Sequence, residues 1–261
     1  MIDEMESHHR KNIKALLKKG INAQDDDGFT PLIYAVRLGD FDLVKKFLSQ
    51  GADVNIATKY GSTALQHHDV DPFKLDSKIV KLLVQAGANI NHKDVGQTTA
   101  LFNTIVGLRV SKHFQVKYKQ HLNVIRFLLK SGANPDIQDR RKMTVLHWAA
   151  QSGETECIKI LLEYNANVNK KNNQGVTPLM SACTSGVREN VELLLTAGAL
   201  VNEIAKDGFT ALMCAAYYGN VDIVQVLLDN GANKMAKSKK GDTALSIAQK
   251  KKFESVIGIL R

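Results

Sequence analysis

Cysteine, proline and tryptophan are scarce in this chain of 261 residues, which has three, four and one of them. Cys157, Cys183 and Cys214 are odd in number and show no C-x-x-C spacing, which argues against a disulfide framework or a zinc knuckle and for reduced thiols. No apolar run approaches the roughly 20 residues that cross a bilayer. The opening Met1-Ile2-Asp3-Glu4-Met5-Glu6 is acidic and lacks the apolar centre of a signal peptide. A cytoplasmic protein is expected, with the nucleus as a second compartment. There is no G-x-x-x-x-G-K-[ST] loop, so nucleotide hydrolysis is not expected. Carboxylates are outnumbered, 26 against 35 Lys and Arg, for a formal charge of +9. That excess favours acidic partners by long-range attraction, acting on encounter rate more than on affinity.

What the chain has in quantity is self-similarity. Thr144-Val145-Leu146, Thr177-Pro178-Leu179, Thr210-Ala211-Leu212 and Thr243-Ala244-Leu245 recur at a period of 33 residues. Each triplet opens an apolar helical run ending in small residues, such as Ala149-Ala150 or Ala215-Ala216. A second run closes on a leucine pair, Leu161-Leu162, Leu194-Leu195 or Leu227-Leu228. Then comes Gly198-Ala199-Leu200-Val201-Asn202 or its counterpart. Loop, short helix, turn, longer helix and loop thus alternate, and each unit buries surface only against its neighbours.

These residues resemble the ankyrin-repeat family. Its signature stands here as Gly28-Phe29-Thr30-Pro31-Leu32 through Gly51-Ala52-Asp53-Val54-Asn55. Its histidine is kept in Thr144-Val145-Leu146-His147-Trp148-Ala149-Ala150. The resemblance implies an all-α ankyrin-repeat solenoid of stacked helix-turn-helix units with β-hairpin finger loops, and a recognition scaffold rather than an enzyme. Gly231-Ala232-Asn233-Lys234-Met235 and Arg140-Arg141-Lys142-Met143-Thr144 are also loosely similar to the ankyrin portion of germ-cell adaptors that carry a SAM domain and a basic zipper.

A single domain over 1–261 is expected, with an N-terminal cap over 1–27, repeats over 28–60, 61–95, 96–140, 141–173, 174–206 and 207–239, and a cap over 240–261. In the first cap Ile13, Leu16 and Leu17 form the apolar side of a helix from Arg10 to Gly20. Pro31 suits the first turn of a helix, and Asn165 replaces the left-handed glycine found at Gly51. Two repeats are longer than the rest. One gains residues around Asp69-Val70-Asp71-Pro72-Phe73, where the proline ends the first helix early. The other gains them over Leu108–Lys119, a segment that reads either as a helix extension with Val110, Phe114 and Tyr118 packed down or as a basic and aromatic nucleic-acid contact. Lys250-Lys251-Lys252 enters a polar last helix, which suits either a natural cap or a cut within a larger protein.

No catalytic residue, metal ligand or cofactor is expected. His147 resembles the family's structural hydrogen-bonding histidine, and no Ser, Cys or carboxylate is placed by sequence to work with it. His67-His68-Asp69 are consecutive and share no helix face, which disfavours a metal site. Partner binding is expected on the concave finger and first-helix surface. Phe29, Met143, Val176 and Phe209 share one finger position and would form an exposed apolar row. Arg37, Tyr60, Arg140, Arg141, Trp148, Gln151, Lys206, Tyr217 and Tyr218 complete the set, since aromatics beside Arg and Lys are the usual material of binding hot spots. Trp148 is expected to be half-buried with its indole N–H on the groove. The expected partner is an acidic protein or peptide segment bound by a monomer. The alternatives are a nucleic acid, held by the finger lysines and the 108–119 insertion, or a targeting role within a larger multidomain or effector protein.

Overall fold

The computed structural model describes residues 2–67, 76–113 and 118–261, with side chains described from Glu6 onward and again excepting 109–113. The chain forms two compact units, residues 1–134 and 135–261.

In the N-terminal unit α1 (Ile2–Leu17) packs on α2 (Pro31–Leu38), which pairs with α3 (Phe41–Ser49). A short 3-10 turn over Ala64–His67 stands where the next first helix belongs, followed by α4 (Ser77–Gln85), α5 (Ala100–His113) and α6 (Tyr118–Lys130). The helix of the cap begins at Ile2, well before Arg10. It buries Ile13 and Leu16 but leaves Leu17 40% exposed, so the apolar side is narrower than the sequence suggests. Pro31 is at the start of α2, capped by the Thr30 hydroxyl accepting from the Ile33 N–H. The expected break at Pro72 lies outside the described residues. Of the longer insertion, α5 carries the helix on to His113 with Leu108 fully buried, while Phe114–Lys117 lie outside the described residues.

In the C-terminal unit the pairs α7 (Val145–Ser152) and α8 (Thr155–Glu163), α9 (Pro178–Ser185) and α10 (Arg188–Thr196), α11 (Ala211–Tyr218) and α12 (Val221–Asp229), α13 (Ala244–Lys251) and α14 (Glu254–Leu260) follow one another without irregularity. First helices pack on first helices and second on second: α7, α9, α11 and α13 form one layer, α8, α10, α12 and α14 the other. The core is the leucine, alanine and valine set of the repeat, including Leu146, Leu161, Leu194, Leu212 and Leu227.

Between helix pairs the chain turns out into fingers. Each is closed by a backbone hydrogen bond across four residues, as from the Asp25 N–H to the Phe29 carbonyl or the Ala205 N–H to the Phe209 carbonyl. Within each unit, neighbouring fingers are joined edge to edge: the Lys59 N–H donates to the Asp27 carbonyl, and the Lys206 and Lys239 N–H groups donate to the Gln174 and Asp207 carbonyls. These hairpins are short. One isolated bridge, Ala57 to Thr63, is formed, and no strand is present among the described residues.

Candidate functional site

The fingers are held rigid by side chains whose role the repeat pattern alone does not reveal. Asp25 Oδ1 accepts from the Asp27 and Phe29 N–H groups, Asp139 Oδ1 from Arg141 and Met143, and Asn172 Oδ1 from Gln174 and Val176. Such local side-chain acceptors organise a turn without help from regular secondary structure. The signal in the sequence is an Asp or Asn five residues before the helix-opening threonine. The same carboxylates reach the first helices. Tyr34 donates its hydroxyl to Asp25 Oδ2 at 2.5 Å, and Trp148 Nε1 donates to Asp139 Oδ2 at 3.4 Å. Burial and the Asp25 bond push the Tyr34 phenol up to about 12. Tyr34 is thus a buried strut, and half-buried Trp148 has its indole N–H turned to the finger rather than left open on a groove.

His147 joins one finger to the next. The Thr144 N–H donates to its Nδ1 at 3.1 Å, so Nδ1 carries no proton, and Nε2 donates to the Val176 carbonyl at 3.0 Å. Burial lowers its pKa, in keeping with a neutral ring.

The expected apolar row divides. Phe29, Val176 and Phe209 are half-buried, but Met143 is 3% exposed and belongs to the core. The expectation of exposure therefore fails for Met143: its N–H is held by Asp139 as those of Phe29 and Val176 are held by Asp25 and Asn172, so the same turn buries one side chain and leaves two half-open. Phe29 is not an isolated surface ring. Its centroid is 5.3 Å from those of Tyr34 and His67, and the Arg37 guanidinium sits 5.2 Å over it. Arg37 is half-buried and its Nε has no hydrogen-bond partner; burial lowers its pKa.

The remaining site residues are open to solvent. Tyr60 is 63% exposed at its finger tip, and Arg140, Arg141, Lys206 and Gln151 are exposed in the C-terminal unit. Tyr217 and Tyr218 close α11 in an edge-to-face pair with centroids 5.2 Å apart, and Lys251 lies 4.0 Å over the Tyr217 ring. Exposed Lys239 and Lys240 stand on the last finger. The three thiols are poor nucleophiles: burial drives the pKa of Cys157 and Cys183 far up and that of Cys214 to about 12. Among the described residues no group of three His, Cys, Asp or Glu side chains could hold a metal ion, and no helix is long and apolar enough to cross a membrane. His67 packs on Phe29, while His68 and Asp69 lie outside the described residues.

Known proteins share this architecture. The ankyrin repeat domain of human ASB11 superposes with a TM-score of 0.73 over 89% of this chain and 98% of that one, at 28% identity. Ankyrin repeat protein FPV244 of Fowlpox virus (strain NVSL) is 34% identical over 139 residues, which are 52% of this chain and 18% of that protein. Inversin of Canis lupus familiaris is 32% identical over 135 residues, 51% of this chain and 11% of its own. The ankyrin repeat, SAM and basic leucine zipper domain-containing protein 1 of Colobus guereza is 28% identical over 124 residues, 48% of this chain and 24% of its own. The chain thus spans under a quarter of the length of these curated relatives. Family models for tandem ankyrin repeats, in three and in many copies, match residues 5–94, 112–204 and 194–248. With the period, the finger hairpins and the layered helix pairs all in agreement, this chain belongs to the ankyrin-repeat family and is an all-α repeat solenoid of the kind that generally serves as a protein interaction module.

Proposed function

We propose that the C-terminal unit binds an acidic segment of a partner protein through its finger tips and first-helix ends, without catalysis. Arg140, Arg141 and Lys206 meet carboxylates, while Trp148, Gln151, Tyr217 and Tyr218 supply contact area. The observation that carries this reading is the exposed Tyr217–Tyr218 pair under Lys251. An edge-to-face aromatic pair loses little side-chain freedom when covered, and aromatic and cationic side chains together are characteristic of hot spots. Rigid fingers add to this, since a pre-ordered surface limits the entropy lost on association. Met143 takes no part, and Val176 and Phe209 contribute only their open edges. In the N-terminal unit the Phe29–Arg37 pair and, on the next finger, the exposed Tyr60 offer the same chemistry.

The test is capture of partners from lysate by the intact chain and by a Tyr217→Ala, Tyr218→Ala, Arg141→Ala variant, with captured proteins quantified by mass spectrometry. Loss of specific partners by the variant supports the reading. An unchanged set of partners sinks it. Retardation of labelled RNA or DNA, with affinity falling steeply as salt rises, would put the nucleic-acid alternative in its place.

A further inference from the structure

Two second helices of the N-terminal unit, α4 and α6, differ in charge from those of the C-terminal unit, whereas α3 mixes the two signs with exposed Asp42, Lys45 and Lys46. Helices α4 and α6 present Lys78, Lys81, Lys119, Arg126 and Lys130, all exposed, and no carboxylate. Residues 101–134 contain no Asp or Glu at all. In the C-terminal unit α8, α10 and α12 present Glu156, Glu163, Glu189, Glu192, Asp222 and Asp229, with Lys159 and Arg188 held in ion pairs to Glu156, Glu189 and Glu192. The cationic face is therefore a local choice and not a requirement of the repeat, and an ordinary solvated helix surface mixes the two signs.

Three of these cations, Lys81, Arg126 and Lys130, line one cleft. Between α4 and α6 a hollow of about 310 Å³ has Val124 and half-buried Phe127 as its apolar wall and Lys81, Arg126 and Lys130 at its rim. Ser77 and Asn123 add a hydroxyl and an amide. The Lys81 ammonium is 6.0 Å from the centre of the Phe127 ring, and Ser77, Asn123 and Lys130 make no side-chain hydrogen bond or ion pair among the described residues. No carboxylate lines the cleft among those residues.

We propose that this cleft docks an acidic segment of a partner protein, with carboxylates at Lys81 and Lys130 and an apolar side chain against Phe127 and Val124. A phosphate backbone would follow a continuous cationic track, whereas here the charges close around an apolar wall, which suits a peptide that alternates acidic and apolar residues. The cleft belongs wholly to the N-terminal unit and does not depend on the finger surface of the C-terminal one.

The test titrates the ¹⁵N-labelled intact chain with a short synthetic peptide of alternating Glu and Leu. The expected result is movement of the amide resonances of Ser77–Lys81 and Asn123–Lys130. A Lys81→Gln, Lys130→Gln variant with an unchanged circular dichroism spectrum should bind about tenfold more weakly at that site. An Arg140→Gln, Arg141→Gln, Lys206→Gln variant should leave those shifts in place, so that failure of the finger reading and failure of this one are told apart. Shifts confined to the fingers, or equal affinity in the Lys81 and Lys130 variant, overturn the proposal. So does a rise in molar mass at low salt that the same variant abolishes, since it would give the cleft to the carboxylates of a second copy of the chain.

Discussion

In the C-terminal unit His147 links the start of α7 to the next finger, and in the N-terminal unit Gln66 makes the same pair of bonds. The Gln66 carbonyl oxygen accepts from the Thr63 N–H at 3.1 Å and its amide nitrogen donates to the Thr98 carbonyl at 2.9 Å. Both residues stand three places after the threonine, and both are buried. The joint therefore needs a neutral side chain with an acceptor turned back and a donor turned forward, and imidazole is one way to supply it. The family's histidine marks a hydrogen-bond geometry, not a titratable function. Only the imidazole version is exposed to acid.

The largest effect should follow from removing that side chain. His147→Ala leaves the Thr144 N–H and the Val176 carbonyl without partners and opens a cavity, for a loss of about 3 kcal/mol in urea unfolding. His147→Gln, copying the other unit, should lose under about 1 kcal/mol. The two also differ in pH dependence. Burial depresses the pKa of His147 in the folded chain, so its contribution is complete above the unfolded value of about 6.5 and is lost as pH falls from there through the folded value. His147→Gln should flatten that part of the stability profile between neutral and mildly acid pH. An unchanged profile would show that another group governs the acid response.

Next comes a comparison of two fingers within the C-terminal unit. Gly208 has φ +82°, and a Cβ there would lie 2.7 Å from the Lys239 nitrogen, because the next finger is bonded at that point. Lys142 holds the equivalent place at φ 56°, where its finger still receives the Asn173 N–H at the Arg141 carbonyl. A side chain is thus tolerated only where the backbone retreats into the ordinary left-handed region. Gly208→Ala should cost about 2–3 kcal/mol and Lys142→Gly should gain up to about 1 kcal/mol, read as shifts in the urea midpoint. Equal tolerance at both sites would mean that the edge bond between fingers contributes little.

A smaller effect, of opposite sign, is expected at Asn190. Its side chain is fully buried in α10, and neither amide atom has a hydrogen-bond partner. The same place holds Cys157 in α8, Ile223 in α12 and, in the N-terminal unit, Ile79 in α4, all buried and less polar. Asn190→Leu should therefore stabilise by about 1–2 kcal/mol, since an unsatisfied amide is removed and apolar contact is added. A loss in thermal midpoint would reveal a partner for the amide in solution.

The repeat period makes the helix pairs, their order and the two irregular registers legible in the sequence, because apolar spacing reports directly on which face is buried. It does not report which finger residues are turned inward. Met143 and Phe29 occupy one register, yet one is core and the other half-open, since that depends on the neighbouring finger and on what stands beneath it. Trp148 is half-buried as its position suggests, and its bond to Asp139 repeats that of Tyr34 to Asp25, nine residues apart in both, a spacing that apolar periodicity alone does not pick out. The sequence places the start of α1 too late because the first turns of that helix are polar. The cationic cleft is hidden for a different reason. Lys81 on α4 and Lys130 on α6 are 49 residues apart along the chain, and their charges meet only when two second helices are laid side by side.

The smallest effect concerns the asparagine that ends each G-A-x-x-N stretch, which the sequence presents as a mere loop residue. Asn202 accepts from the Asn233 N–H at 2.8 Å and donates to the Gly231 carbonyl at 2.9 Å. Asn55 does the same to the Asn89 N–H and the Gly87 carbonyl in the other unit, at 2.8 and 3.1 Å. Both clamps are exposed, so water competes for every group, and Asn→Ala should cost only about 1 kcal/mol at each. Asp136 stands in the same register and accepts from the Asn167 N–H at 2.9 Å, which shows that a carboxylate can serve the acceptor half. Asn202→Asp should accordingly fall between wild type and Asn202→Ala in the urea midpoint, and it should keep the Asn233 amide protected from hydrogen exchange while Asn202→Ala does not. If the Asp and Ala variants are equally destabilised, the donor to the glycine carbonyl is what holds adjacent repeats in register, and the acceptor is incidental.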